Sequence, residues 1–140
     1  MLVQCLYASR AVETVTDATI KDILEQSRRN NLAAGITGLL CHTDDSYIQV
    51  IEGGRAEVSD LIARIMRDKR HAEVTLLVYD EIRERAFSEW SMGQVNLDKL
   101  NPAHLLKYSA RPRLDPFVGS GRIMLAFLFD MIAHGGIVAR

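Results

Sequence analysis

Apolar positions along the chain switch between two spacings. Residues 2–8, "LVQCLYA", are apolar almost throughout and read as a strand. From there the spacing becomes helical, with Ile20, Ile23 and Leu24 on one stripe and Ser27 and Asn31 continuing the same face. Thr16 or Asp17 caps this helix, which runs to about Asn31. Residues 35–42 and 47–52 predict two more strands around an Asp44-Asp45-Ser46 turn, and Gly53-Gly54 ends the second. Residues 56–68 return to helical spacing through Val58, Leu61, Ile62 and Ile65. Residues 74–79 predict a fourth strand and residues 87–95 a fifth. The order βαββαβ plus one strand, closed by right-handed crossovers, places both helices on one sheet face. The expected fold is an α+β sandwich of the ferredoxin-like kind.

Both faces of the strands are apolar. Val3 and Cys5 point one way and Leu2 and Leu6 the other; Ile51 opposes Ile48 and Val50 in the same manner. Two helices on one face leave the second bare. The rest of the chain supplies a cover: a short helix over 103–109 opened by Asn101-Pro102, a linker "RPRLDP", and a last helix over 117–133 followed by Gly135-Gly136. The chain thus divides into a sheet domain, 1–97, and a helical extension, 98–140. The last helix is apolar around nearly its whole circumference, which predicts that it packs across the bare face and keeps a second stripe for another copy. A homo-oligomer of even order, most simply a twofold dimer, would bury that stripe.

Composition narrows the function. A net charge of −1 excludes a strong electrostatic pull toward nucleic acid or an anionic membrane surface. Cys5 and Cys41 sit singly inside apolar runs, as small core residues of a reducing, cytoplasmic compartment do. Four scattered histidines and no CxxC argue against zinc. The chain opens with no signal-peptide pattern, and the longest apolar segment, 123–129, is too short to span a bilayer.

Three polar residues stand where apolar ones belong. Tyr7 shares a strand face with Val3 and Cys5, Gln49 shares one with Ile51, and Asn31 lies on the apolar stripe of the first helix. A buried amide or hydroxyl without a partner costs about 1–3 kcal/mol, so three on one side of a sheet suggest a common purpose. Together they make a polar cluster in an apolar slot lined by Ile23 and Ile65, suited to a flat heteroaromatic ligand with polar edges. The second helix ends in "RIMRDKRHAEV", where Arg64, Arg70 and His71 are placed to meet a phosphate or a ring edge, while Lys69 reads as a solvated helix end.

This set resembles the BLUF family, blue-light sensors that use FAD. The matching pieces are "LYAS" at 6–9, "SRRNNLAAGITGLL" at 27–40, "YIQVIEG" at 47–53, "DKRH" at 68–71 and "RAFSEWSMG" at 85–93, in family order and spacing. The resemblance implies a photoactive pair, Tyr7 and Gln49, with Gln49 switching between the tyrosine and the flavin. It implies a flavin edge read by Asn31 and Asn30, and ring-edge or phosphate-arm positions at Arg64, Asp68, Arg70 and His71. Ile23, Ser27 and Ile65, read from the helical stripes, are expected along the same slot, and the resemblance places a signal relay, Trp90 and Met92, on one face of the fifth strand. FAD is the implied cofactor, with FMN as the alternative. Tyr47, where many members have phenylalanine, and "LLCH" at 39–42 depart from the pattern without touching the photoactive set. The implied function is a photoreceptor subunit, not an enzyme, acting on a separate effector such as a cyclic-dinucleotide enzyme or a transcription regulator. Two other readings are a flavin-dependent redox enzyme, against which the lack of a GxGxxG fingerprint counts, and a cofactor-free ferredoxin-like interaction module.

Overall fold

The computed structural model describes residues 1–133. The elements in order are β1 (Leu2–Ala11), α1 (Asp17–Ala34), β2 (Thr37–His42), β3 (Ser46–Gly54), α2 (Arg55–Arg67), β4 (His71–Ile82), β5 (Gly93–Asn96), a 3-10 turn at Leu97–Lys99, α3 (Pro102–Leu106) and α4 (Gly121–Ala133). Thr16 is the cap of α1: its hydroxyl accepts from the Thr19 amide, and the Thr19 hydroxyl accepts in return from the Thr16 amide. Gly35 ends the helix at φ 70°, in the left-handed region that favours glycine, and its N–H reaches the Asn31 and Leu32 carbonyls.

The sheet order is β4-β1-β3-β2-β5. β1 runs antiparallel to both β3 and β4, β2 antiparallel to β3, and β5 parallel to β2. This is the ferredoxin-like arrangement with a short parallel strand added at one edge. At the other edge β4 has no buried residue, and its pairing with β1 shifts register at Leu6/Tyr7 and at Ala8/Arg10.

The pleat sorts the side chains into two cores. Val3, Cys5, Leu40, Tyr47 and Ile51 pack beneath α1 and α2, with Ile20, Ile23, Leu24 and Val58. Leu6, Ala8, Leu39, Cys41, Ile48 and Val50 face the other way, under Leu105 and under Met124, Leu125, Phe127, Leu128 and Met131 of α4. The extension therefore closes the face that the first two helices leave bare. The fit is close at Gly121, where a Cβ would lie 2.7 Å from the Leu77 carbonyl oxygen. None of the helices among the described residues is long and apolar enough to cross a membrane.

Three expectations are corrected. The fifth strand is Gly93–Asn96 rather than 87–95, because the Ala86 and Phe87 amides bond to the Glu52 side chain, the Trp90 amide turns back to the Phe87 carbonyl, and the Trp90 carbonyl accepts from the Gly38 amide, with no ladder formed. The last helix starts at Gly121; residues 117–119 form a turn on Asp115, whose side chain accepts from the Phe117 amide and whose carbonyl accepts from the Gly119 amide. Less apolar surface is left on α4 than its sequence suggests: Met124, Leu125, Phe127, Leu128 and Met131 are buried, and only Ile123 and Phe129 are exposed large apolar side chains of that helix. The glycine pair 135–136 lies outside the described residues.

Candidate functional site

On the face under α1 and α2, one strand-centre pair organises the site. Tyr7 and Gln49 are directly opposite in the β1–β3 ladder, so their side chains emerge side by side. Both are buried. The Tyr7 hydroxyl donates to Gln49 Oε1, and Gln49 Nε2 points away, donating to Met92 Sδ at 3.2 Å. Burial, reinforced by Cys5, Asp68 and Tyr47 and opposed by Arg70, pushes the Tyr7 phenol well above its usual range. Burial alone raises the Cys5 thiol to about 11 and the Cys41 thiol to about 12, so neither is a thiolate at neutral pH.

Around this pair is a cavity of about 110 Å³ between α1 and α2. Every residue expected in the slot lines it: Tyr7, Ile23, Ser27, Asn30, Asn31, Gln49, Arg64, Ile65, Asp68, Arg70 and His71. Gln26, Leu40 and Leu61 complete the wall. Asn31 is buried and donates from Nδ2 to the Ser91 carbonyl at 3.0 Å, leaving its carbonyl oxygen for another partner. At the mouth, the Arg70 guanidinium grips Asp68 through Nε and Nη2 and reaches Gln26 Oε1 at 3.1 Å. The same bond holds the Asp68 carboxyl below its usual range. His71 is wedged against Tyr47, ring centroids 4.7 Å apart, and its Nδ1 meets Ser9 Oγ at 2.7 Å. Burial lowers its pKa, so the ring is held neutral.

The donor set fits a flavin. Apolar walls from Ile23, Leu40, Leu61 and Ile65 suit the faces of a flat ring system, and the amides of Asn30, Asn31 and Gln49 suit its alternating polar edge. The volume is below the ~300 Å³ usual for small-molecule pockets. Gln26, Asn30 and Arg64 are the exposed residues of the cavity lining. A larger cleft of about 510 Å³, between the β2–β3 turn and the 112–117 linker, contains none of these side chains.

Trp90 and Met92 are not where a fifth strand would put them. Both precede β5, in a segment that crosses from one sheet face to the other. Met92 is buried beside Gln49, while Trp90 packs in the core under α4. Their spacing of two marks a crossing chain, not a shared strand face. The sequence reading also missed Arg28, whose Nε and Nη2 donate to the Met92 carbonyl at 3.2 and 3.0 Å, and Ser9. Arg28 had a signal, since it lies one helical turn before Asn31 and holds the same segment.

Residues 2–93 match the family model described as "BLUF: Sensors of blue-light using FAD". The photoactivated adenylate cyclase subunit beta of Euglena gracilis is 32% identical over 95 residues, 67% of this chain and 11% of that protein. The chain thus spans about a tenth of the length of such curated relatives. Among solved structures, the dark state of BlrB, a BLUF protein, is 33% identical with a TM-score of 0.77, covering 96% of both chains. The photo-activated state of BlsA is 28% identical with a TM-score of 0.83, covering 94% of this chain and 95% of that one. The chain belongs to the BLUF family, flavin-based sensors of blue light.

Proposed function

We propose that the cavity between α1 and α2 holds FAD and that Tyr7, Gln49 and Met92 form the light-operated switch. The observation that carries this reading is the hydrogen-bond chain from the Tyr7 hydroxyl through the Gln49 amide to Met92 Sδ. Bound flavin supplies a ring that absorbs blue light and becomes a strong oxidant when excited. In the dark the raised phenol pKa keeps the Tyr7 proton on its oxygen, directed at Gln49 Oε1. That same bond is the path by which the proton reaches Gln49 when the phenol is oxidised. Gln49 is suited to the post because its amide both accepts and donates; asparagine would be a methylene too short, and glutamate would bring a charge into the slot.

Turning the Gln49 amide over has a definite consequence at Met92. A thioether only accepts, so an amide oxygen facing Sδ makes no hydrogen bond, and the Gln49–Met92 link is lost. One such bond is worth about 1 kcal/mol net, a several-fold shift in a two-state equilibrium. Amplification falls to the segment that carries Met92 and Trp90, which reaches the core under α4.

Asn30 and Asn31 would read the polar ring edge, and Arg64, Asp68, Arg70 and His71 would line the exit of the side chain. A neighbouring cleft of about 450 Å³ also touches Arg70 and carries Lys69, which supports FAD over the shorter FMN. In this reading residues 1–97 are the light-sensing unit. The extension from residue 98 passes the signal to a separate cytoplasmic effector, such as a cyclic-dinucleotide enzyme or a transcription regulator, with no catalysis of its own. Exposed Ile123 and Phe129 would seat a second copy of the chain. Absorption spectra of purified protein, dark and then blue-lit, test the proposal. A reversible small red shift of the flavin band is expected, and a colourless protein that takes up no added flavin would refute it.

A further inference from the structure

The crossover from β4 to β5, residues 83–92, is fastened at two points. At the cavity end Arg28 and Asn31 hold the Met92 and Ser91 carbonyls, and the Gly38 amide donates to the Trp90 carbonyl. At the far end the fastener is Glu52. It lies three residues beyond Gln49 on β3 but points to the opposite sheet face, fully buried and outside the cavity lining. Its Oε1 accepts from the Phe87 amide at 2.6 Å, and its Oε2 accepts from the Ala86 amide at 3.1 Å and from Gln4 Nε2 at 2.8 Å. Arg85 reinforces the point, donating to the Glu52 carbonyl and to Thr37 Oγ1. Between the two fastenings Ser88 and Glu89 are exposed, and Trp90 dips into the core under α4.

We infer that Glu52 is a positioning residue of the switch: its carboxyl makes Ala86–Phe87 a fixed pivot, so that a change at Met92 moves Trp90 against α4 instead of being absorbed as slack. This rests on the light-sensing reading above. A glutamine at 52 fails for a specific reason. Its NH2 must face either the Phe87 amide or the paired Gln4 and Ala86 donors, so one side of the pivot always meets donor against donor.

The test is hydrogen exchange of the flavin-loaded full chain, dark and illuminated, alongside the absorption shift. Wild type is expected to show the red shift and a light-dependent exchange difference in residues 121–133. Glu52→Gln should keep the red shift and lose most of that difference. Gln4→Met, which removes one bond to the carboxyl yet leaves both backbone amides held, should keep both. A Glu52→Gln protein with the wild-type difference, a Gln4→Met protein that loses it equally, or a wild type with the shift but no change in 121–133 overturns the pivot. A wild type without the red shift overturns the light-sensing reading itself. If Glu52→Gln does not fold, Glu52→Asp, which retracts the carboxyl by one methylene, should lose part of the difference, and full retention would refute the role.

Discussion

Under α4 the strands present Leu6, Ala8, Leu39, Cys41, Ile48 and Val50 to an apolar cover; under α1 and α2 the same strands present Tyr7 and Gln49 to a cavity. One residue of pleat separates the two sets. The first face is closed mainly by apolar packing, with the hydrogen-bonded pair Gln4 and Glu52 buried beside it, so most of its worth lies in stability. The second buries polar groups around a cavity, which costs stability and gains a place for chemistry. The difference teaches that the extension is no appendage: it completes the core on whose other side the slot is tolerated.

Breaking the apolar face should have the largest effect. Truncation after Leu100 uncovers the whole surface beneath α4, and the chain is expected to lose cooperative unfolding by circular dichroism. A truncated protein that melts like the full chain would show that the extension adds nothing to the fold. Phe127→Ala, at a side chain with no exposure, should cost about 3–5 kcal/mol in urea unfolding while preserving the red shift. On the cavity face the order reverses. Gln49→Leu strands the buried Tyr7 hydroxyl, costs about 1–3 kcal/mol, and should abolish the normal red shift while retaining flavin. Asn31→Leu removes the bond to Ser91 and the amide offered to the ring edge; flavin per chain after purification should fall by about tenfold in affinity terms, for a loss of roughly 1.4 kcal/mol.

The smallest effect is expected from pH. Burial lowers the His71 pKa, so the unfolded chain binds more protons than the folded one once pH drops below the ordinary histidine value of about 6.5. Stability from neutral His71 is full above that value and is lost as pH falls through the folded pKa. His42, lowered by burial as well, acts in the same direction. His71→Gln should therefore flatten part of the fall in urea midpoint on going below pH 6.5. An unchanged slope would assign the acid sensitivity elsewhere.

Much was legible in residues alone. Continuous apolar runs locate β1, β2 and β3, which bury both faces, and helical spacing locates α1 and α2, which bury one. Tyr7, Gln49 and Asn31 stand out for the same reason, as polar side chains on faces that otherwise bury. Residues 87–92 defeat such reasoning. Phe87, Trp90 and Met92 look like a strand's alternation, yet their apolar character comes from serving two cores in turn as the chain crosses the sheet edge. Local sequence fixes which side chains avoid water; it does not fix which of two interiors they enter.

The sequence by itself determined the element order, the apolar faces and the polar residues that line the slot, since these follow from side-chain chemistry and backbone period. Only the tertiary structure decided that Met92 belongs to the cavity and Trp90 to the core under α4. It alone brought the Ala86 and Phe87 amides to the Glu52 carboxyl, and gave Arg28 the Met92 carbonyl. Those outcomes depend on where distant backbone donors and acceptors come to rest, and pairings between residues tens of positions apart carry no periodic trace in the chain.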